Sequence, residues 1–487
     1  MTENLLPTAS NRLAVSLPAI IGIIAFAATF GWARYLLNDP DVYLHIAVGR
    51  WIIAHHAVPH HDLFSYSLLG APWVPHEWLA EVIMALLHDW LGWAGLVAMA
   101  AGCFAAMLAL LQQALMRYLA PGHALIGTAL AAGLCFPHLL ARPHAFSLPL
   151  MVIWVAMLVA AAARGRAPPL LGCLVMVAWA NLHSGFIIGL VIAALFGAEA
   201  VFDAADRHGA FRAARDWAVF GALAVLASLV TPNGIAGLEL PFDLVRMNFG
   251  LAFIAEWQSP NFQLGHPLEP WLMLILLGAL TLGLRVPVTR IAMFFVLLHM
   301  ALQHQRLAEV LGPVTPLLFA PALAPQLIGR PIPRLDHWLA GLAKRSSAGG
   351  AALAAAIVLT LGAAAVAIGF NHDEGTFAPR TALAAAAAHR PTGHVFNDIN
   401  FGDYLIYSGA AAPFIDGRID MYGDAFLRRY ALLGEFPKLA DEYQMDWAVL
   451  TPNNIHVPLL DNLPGWRRIY ADSYAVVYLR DGAPSGH

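Results

Sequence analysis

"NDPDVYLHIAVGRW", residues 38–51, comes straight after an apolar run of about two dozen residues, 13–36, with almost no charge. A chain that leaves such a run and at once places two aspartates and a histidine is either starting a helix at a water boundary or building a site there. Asp39 fits the N-cap of a helix, and Pro40 at the first helical position has its φ already set. Asp41 then stands in the first turn, where the helix dipole favours a carboxylate. Leu44, Val48, Trp51 and Ile52 fall on one face and predict a helix lying at the membrane interface. Capping needs only Asp39. Asp41 is left over, and His45 lies one turn on over the same face. A carboxylate beside a histidine at a lipid–water boundary is where a general base for a hydroxyl acceptor would stand.

Composition makes that boundary a membrane. Of 487 residues, 59% are hydrophobic and 12% charged, against about 25% charged in soluble domains. Bilayer must therefore be the solvent for most of the chain. A net charge of −4 with no basic tail excludes nucleic acid as a partner. Cys103, Cys135 and Cys173 lie inside apolar runs, so they read as small core residues and not as a disulfide framework. The first apolar stretch is too long for a signal peptide and no clear cleavage site follows, which predicts an uncleaved first span.

Apolar runs predict about eleven spans, near 13–36, 93–117, 121–138, 144–163, 168–183, 184–203, 216–231, 268–285, 290–303, 306–324 and 350–370. With these spans, Arg117, Arg164, Arg166, Arg207, Arg212, Arg215, Arg285, Arg290, Arg330, Arg334, Lys344 and Arg345 all fall on one side. The positive-inside rule makes that side cytoplasmic, with the amino terminus inside and the carboxyl terminus outside. Asp39, Asp41, His76, Glu77, Arg142, His144, Asn181, His183, Asn233, Glu256, Gln303, His304 and Arg306 fall in or beside loops on the other side. "HEWLAEVIMALLHDWLG" (76–92) is short for a span and carries Glu77, Glu81, His88 and Asp89, so it is read as an interfacial helix. The expected division is a membrane module over 1–370, with a long outer loop at 37–92, and an outer α/β domain over 371–487. In that tail "HVFND", "APFIDG", "DWAVLT", "WRRIY" and "AVVYLR" read as strands. "TALAAAAAHR", "FGDYLIYSG" and "DAFLRRYALLGEFPKLADEY" read as helices.

Each outer motif has a plain reading beside a functional one. His55, His56, His60 and His61 are a solvated loop, or a divalent-metal site for which no carboxylate spacing is fixed. His76 and Glu77 open a helix, or form a second wall of the Asp41 site. "TPNGIAG" is a turn at Asn233 and Gly234. "FIDGRIDMYG" is a turn with an internal aspartate–arginine pair, or a surface that recognises the acceptor. Arg142 and Arg306 are cations on the side where the topology rule disfavours them. Arginine grips phosphate through forked hydrogen bonds, so with His144, Asn181, His183, Glu256 and His304 they suggest a pocket for an anionic lipid headgroup.

These pieces carry a resemblance. "DVYLH" is similar to the Asp-Glu-x-x-His/Tyr stretch that begins the first outer loop of protein O-mannosyltransferases and lipid A aminoarabinose transferases. "DPDVYLHIAVGRWI", "DLFSYSLLGAPWVPHEWLAEV", "ARPHAFS", "WANLHSGF", "TPNGIAG", "EWQSPNF", "VFNDINFGDYLIYSG" and "PFIDGRIDMYG" together resemble a group of bacterial inner-membrane proteins of the GT-C glycosyltransferase type. The resemblance implies a GT-C-like polytopic fold, a polyprenyl-phosphate-linked sugar as donor, and inverting transfer on the periplasmic side to a glycan, lipid or protein acceptor. No cofactor is expected. Asp41 matches the position of the acceptor-activating carboxylate. Val42 replaces the family's glutamate, and Asp39 stands two residues upstream to compensate. Chemistry and topology, not matched family residues, give Arg142 and Arg306 the donor phosphate, with His45, His76 and Glu77 on the acceptor side. The rival readings are a transporter or flippase of a lipid-linked or anionic solute, and a non-catalytic membrane assembly protein.

Overall fold

The computed structural model describes residues 14–342, 346–370, 372 and 375–481. Lys344 and Arg345, used above for topology, lie outside the described residues, as do the first residues of the expected first span. The apolar runs form helices close to where periodicity places them: Leu17–Phe30, Trp93–Leu115, Pro121–Cys135, His144–Ala162, Cys173–Leu182, Phe186–Phe202, Leu268–Leu282, Val288–Gln303, Ala308–Leu327 and Ala348–Ile368. Three segments, Trp93–Leu115, His144–Ala162 and Gln305–Leu327, are long and apolar enough to cross a membrane, and several shorter apolar helices accompany them. Leu223, Leu226, Leu274, Leu277, Leu280 and Phe295 stand exposed on three of the helices, as side chains facing lipid tails would.

The segment expected as 216–231 is longer. Its helix runs Arg207–Ser228 because Asp206 caps it, accepting the Gly209 N–H at 2.6 Å. Arg207, Arg212 and Arg215 thus sit on the first turns of a helix and not in a loop.

Residues 37–92, expected as an outer loop, fold as two packed helices, Asp41–His55 and Trp78–Leu91. A Cβ at Gly49 would lie 2.0 Å from the Glu81 carbonyl oxygen, so only glycine lets the two backbones approach this closely. The face carrying Leu44, Val48 and Ile52 is not turned to lipid, as the interfacial reading expected. It packs on Trp73, with Phe64, Trp78, Val82, Ile406 and Met421 around it. The carboxyl-terminal tail covers it, and pattern alone could not distinguish that cover from a bilayer.

Four strands, β1 (His394–Asn397), β2 (Met445–Leu450), β3 (Trp466–Ala471) and β4 (Val476–Arg480), form one sheet in the order β1-β2-β4-β3. The β1–β2 pair is parallel and the others antiparallel. Helices Ile399–Ser408, Ile419–Ala431 and Phe436–Glu442 make the crossover between β1 and β2. "APFIDG" is not a strand. The Asn397 side chain takes its backbone groups instead, accepting the Phe414 N–H at 2.7 Å and donating to the Ile415 carbonyl at 2.7 Å. One apolar core runs from Phe26 and Leu36 through Trp154 and Trp179 to Leu405 and Val449.

The segment between the two outer helices is fastened to the tail. Tyr66 donates to the Val395 carbonyl at 2.7 Å and Ser67 to that of Phe414 at 2.5 Å. Arg418 holds Asp62 at 2.7 Å and Asp416 at 2.6 Å, under the faces of Trp73 and Phe64.

Candidate active site

The polar residues singled out in the sequence stand at the ends of helices, and those ends converge. Asp39 and Asp41 open one outer helix, and His76 and Glu77 open the other. Arg142 precedes His144–Ala162. His183 sits in the break before Phe186–Phe202, and His304 and Arg306 in the turn between Val288–Gln303 and Ala308–Leu327. The opposite ends of these helices carry the cations: Arg290 pairs with Glu199, and Arg330 donates to the Leu282 carbonyl at 2.5 Å. Asp39, Asp41, His45, His76, Glu77, Arg142, His183, Glu256, His304 and Arg306 line one cavity of about 740 Å³.

Two expected residues do not line it. Asn181 is used up in structure: it accepts from the Trp78 indole at 2.9 Å and donates to the Val177 and Val230 carbonyls, both at 2.8 Å. His144 is buried behind the wall, with Nε2 3.9 Å from Glu309. The four clustered histidines, 55, 56, 60 and 61, lie exposed at the end of their helix. Among the described residues, no group of three or more His, Cys, Asp or Glu is placed to hold a metal ion.

Arg142 is the hub. One nitrogen meets Asp39 at 3.0 Å and Glu256 at 3.3 Å, and the other meets Asp41. Arg306 reaches the second oxygen of Glu256 at 3.4 Å and His183 at 3.2 Å. The Glu256 carboxylate is thus bridged by two arginines. Burial would raise its pKa, but Arg142 and then Arg306 outweigh burial and hold it down at about 2. Pro40, and not Asp39 as expected, holds the cap position of the helix; Asp39 accepts the Asp41 N–H at 2.9 Å from one residue further out. Burial pushes its carboxyl up to about 7 against the pull of Arg142, with Asp41 and Glu256 adding repulsion.

Histidine orientation is fixed by relays. Trp179 donates to Ser147 Oγ at 2.8 Å, and Ser147 and the Gly185 N–H donate to His183 Nδ1 at 2.9 and 3.0 Å. His183 Nε2 faces Arg306 at 3.2 Å and Glu77 at 3.4 Å. His45 lies between Glu77 at 3.7 Å and Glu81 at 3.3 Å.

Sequence reading placed Glu81 only in an interfacial helix, yet it is a buried wall of the cavity. Burial pushes its pKa up to about 8, with His76 and Arg418 pulling the other way, and its Oε1 lies 3.3 Å from His45 Nδ1. Its folded pKa lies above the ordinary 4.5, so its stabilising proton is fully held at low pH. That contribution is lost as pH rises from 4.5 through about 8. We expect the thermal midpoint in nanodiscs to fall across this window for wild type. In Glu81→Gln, which cannot ionise, the fall should be shallower; identical slopes would contradict the assignment.

Three further cavity residues were not in the sequence-derived set: Glu309, and Asp403 and Asp420 from the tail. Asp420 stands in the motif already suspected of acceptor recognition. Asp403 lies within "FGDYLIYSG", where an aspartate on an amphipathic helix looks like a solvated face.

No protein-family model matches the chain, and no curated protein matches it in sequence. Its fold does match solved structures. ArnT from Cupriavidus metallidurans in the apo state is 14% identical, with 95% of this chain and 97% of that one covered and a TM-score of 0.50. The archaeal oligosaccharyltransferase AglB from Archaeoglobus fulgidus, in complex with an inhibitory peptide and a dolichol-phosphate, is 12% identical. Coverage is 98% of this chain and 71% of that one, with a TM-score of 0.52. The same organism's oligosaccharyltransferase tethered with an acceptor peptide is 11% identical, covers 89% and 69%, and has a TM-score of 0.53. The chain therefore shares the fold of ArnT and of the archaeal oligosaccharyltransferase, mostly helical with a small carboxyl-terminal sheet, and three of its helical segments are long and apolar enough to cross a membrane.

Proposed function

We propose that the chain is a glycosyltransferase that moves a sugar from a polyprenyl-phosphate to an acceptor hydroxyl, with inversion and with Asp41 as general base. The observation that carries the reading is the convergence of Asp41, Arg142 and Arg306 on one cavity in a chain of this fold. Asp41 is the first residue of its helix, its N–H accepted by Asp39 and its carboxylate turned to Arg142. Arg142 and Arg306 already share an anion, the Glu256 carboxylate. A lipid-linked phosphate offers the same two-oxygen geometry and gains charge as the sugar leaves, so the two guanidinium groups bind it more tightly in the transition state than before it. The dolichol-phosphate in the archaeal structure supports a lipid phosphate as the donor's carrier. The peptides in the archaeal structures support a second substrate as acceptor, and on this reading His76, Glu77 and Asp420 of the same cavity face it.

On this reading 1–370 forms the membrane module and 371–487 an outer domain, in a bacterial inner membrane with the cationic helix ends cytoplasmic and the cavity periplasmic. The deciding experiment presents purified protein in nanodiscs with a panel of radiolabelled polyprenyl-phosphate sugars and an acceptor extract. Donor-dependent release of lipid phosphate supports the transferase. Binding without release from any donor would favour a transporter.

Glu256 competes for the arginines that the phosphate needs. Glu256→Gln is therefore expected to tighten polyprenyl-phosphate binding by about tenfold, the effect of roughly 1.4 kcal/mol. Weaker binding in that variant would mean that Glu256 positions the arginines instead of blocking them.

A further inference from the structure

The aspartate from the tail is placed against the candidate base. A Cβ on Gly417 would lie 2.7 Å from Asp403 Oδ2 and 2.8 Å from Asp41 Oδ1, so both carboxyl oxygens crowd the space that a side chain on that glycine would take. Asp403 is fully buried. Its Oδ1 accepts the Gly417 N–H at 2.9 Å. Its Oδ2 is buried without a hydrogen-bond partner among the described residues. Two ionised carboxylates crowded against the same glycine would repel, and a buried polar atom left unpaired is costly. One hydrogen placed on Asp403 Oδ2 removes both problems.

We propose that Asp403 is a positioning residue for Asp41: its carboxyl donates a hydrogen bond to the Asp41 carboxylate and holds that group ready to receive the acceptor's proton. The inference rests on the transferase reading for its chemistry, though not for its geometry. Asp41 is then held on both sides, by Arg142 at Oδ2 and by Asp403 at Oδ1. During transfer the acceptor oxygen bonds to the sugar's anomeric carbon and its proton passes to Asp41. The bond from that carbon to the phosphate oxygen breaks, and the electron pair leaves with the phosphate. Asp403 keeps its own hydrogen throughout, and Asp41 later releases its proton to water.

The charged neighbours favour this arrangement. Burial first, then Asp41 and Asp416, raise the Asp403 pKa well above the ordinary range, while the Gly417 N–H and Arg418 pull down. Arg142 and Asp39 stand behind Asp41. On Asp403's own helix the cap, Asp398, is turned away to Thr451 and Asn454.

The test compares wild type with Asp403→Asn, Asp403→Ala, Asp41→Asn and Gly417→Ala in nanodiscs. The readouts are the pH profile of lipid-phosphate release and the infrared carbonyl band of protonated carboxyl groups. Wild-type turnover should fall at alkaline pH as Asp403 ionises, and Asp403→Asn, which still donates but cannot ionise, should lack that fall. Asp403→Ala and Gly417→Ala should lower kcat by about 100-fold, with KM changed by no more than about twofold, the pattern of a displaced base. At neutral pH one protonated-carboxyl band should vanish in Asp403→Asn, and in Asp41→Asn that band should titrate at lower pH. An Asp403→Asn spectrum and pH profile identical to wild type would overturn the proposal, even if Asp403→Ala fails to fold. If no donor is turned over but the band behaves as stated, the carboxyl pair stands and the transferase reading falls.

Discussion

Asp41→Asn is expected to lower glycosyl transfer by about 10²–10⁴-fold, the usual contribution of a positioned general base, while leaving polyprenyl-phosphate binding nearly intact. Asparagine keeps the shape and an oxygen for Arg142, so the phosphate side of the cavity survives. What it loses is the ability to take the acceptor's proton. The measurement is single-turnover release of lipid phosphate beside equilibrium binding of the same lipid. Asp39→Asn is the control: Asp39 accepts the Asp41 N–H and pairs with Arg142, so its carboxylate is committed to holding the helix start in place. Its loss should affect stability more than turnover. Retention of transfer within about tenfold in Asp41→Asn would reassign the base to Asp39 or Glu77.

The largest stability effect is expected at Arg418. It lies buried between Asp62 and Asp416, both fully buried, so truncation leaves two carboxylates without their cation. Breaking a buried ion pair from one side costs about 3–5 kcal/mol. Arg418→Leu should therefore show a sharply lower unfolding midpoint in nanodiscs and early protease cleavage between residues 60 and 73. The triple change Arg418→Met, Asp62→Asn and Asp416→Asn should recover much of the loss, because no unpaired charge remains buried. A single Arg418→Leu within about 0.5 kcal/mol of wild type, the range of ordinary surface substitutions, would mean that water reaches this lock.

Much of this architecture was legible because apolar run length and helix caps are local properties. So was the gathering of polar residues at one set of helix ends, since loops between short helices have few places to go. The errors have a common cause: periodicity shows that a helix has a distinct face but not what covers it. The Leu44–Val48–Ile52 face met the tail instead of lipid; Glu81, on a helix read as interfacial, is buried, and so is Asp403, which the sequence did not single out. Asn181 looked functional because it ends a span, and instead it ties Trp78 to two helix carbonyls. "APFIDG" had strand composition, but one side-chain amide of Asn397 replaced the partner strand. Each outcome depends on contacts between distant segments, such as Tyr66 with Val395, 329 positions apart.

The Asp62–Arg418 lock has a consequence for how the protein is made. The segment that carries Asp62 is synthesised well before Arg418, its counter-ion, which lies far downstream in the chain. Until that arginine arrives, Asp62 is a charge destined for the interior with nothing to neutralise it, and the segment around it has no surface to dock on. The early spans must wait in the membrane with their outer loop open. Premature termination would leave chains bearing an unpaired, accessible loop, a form that membrane proteases are suited to recognise and remove.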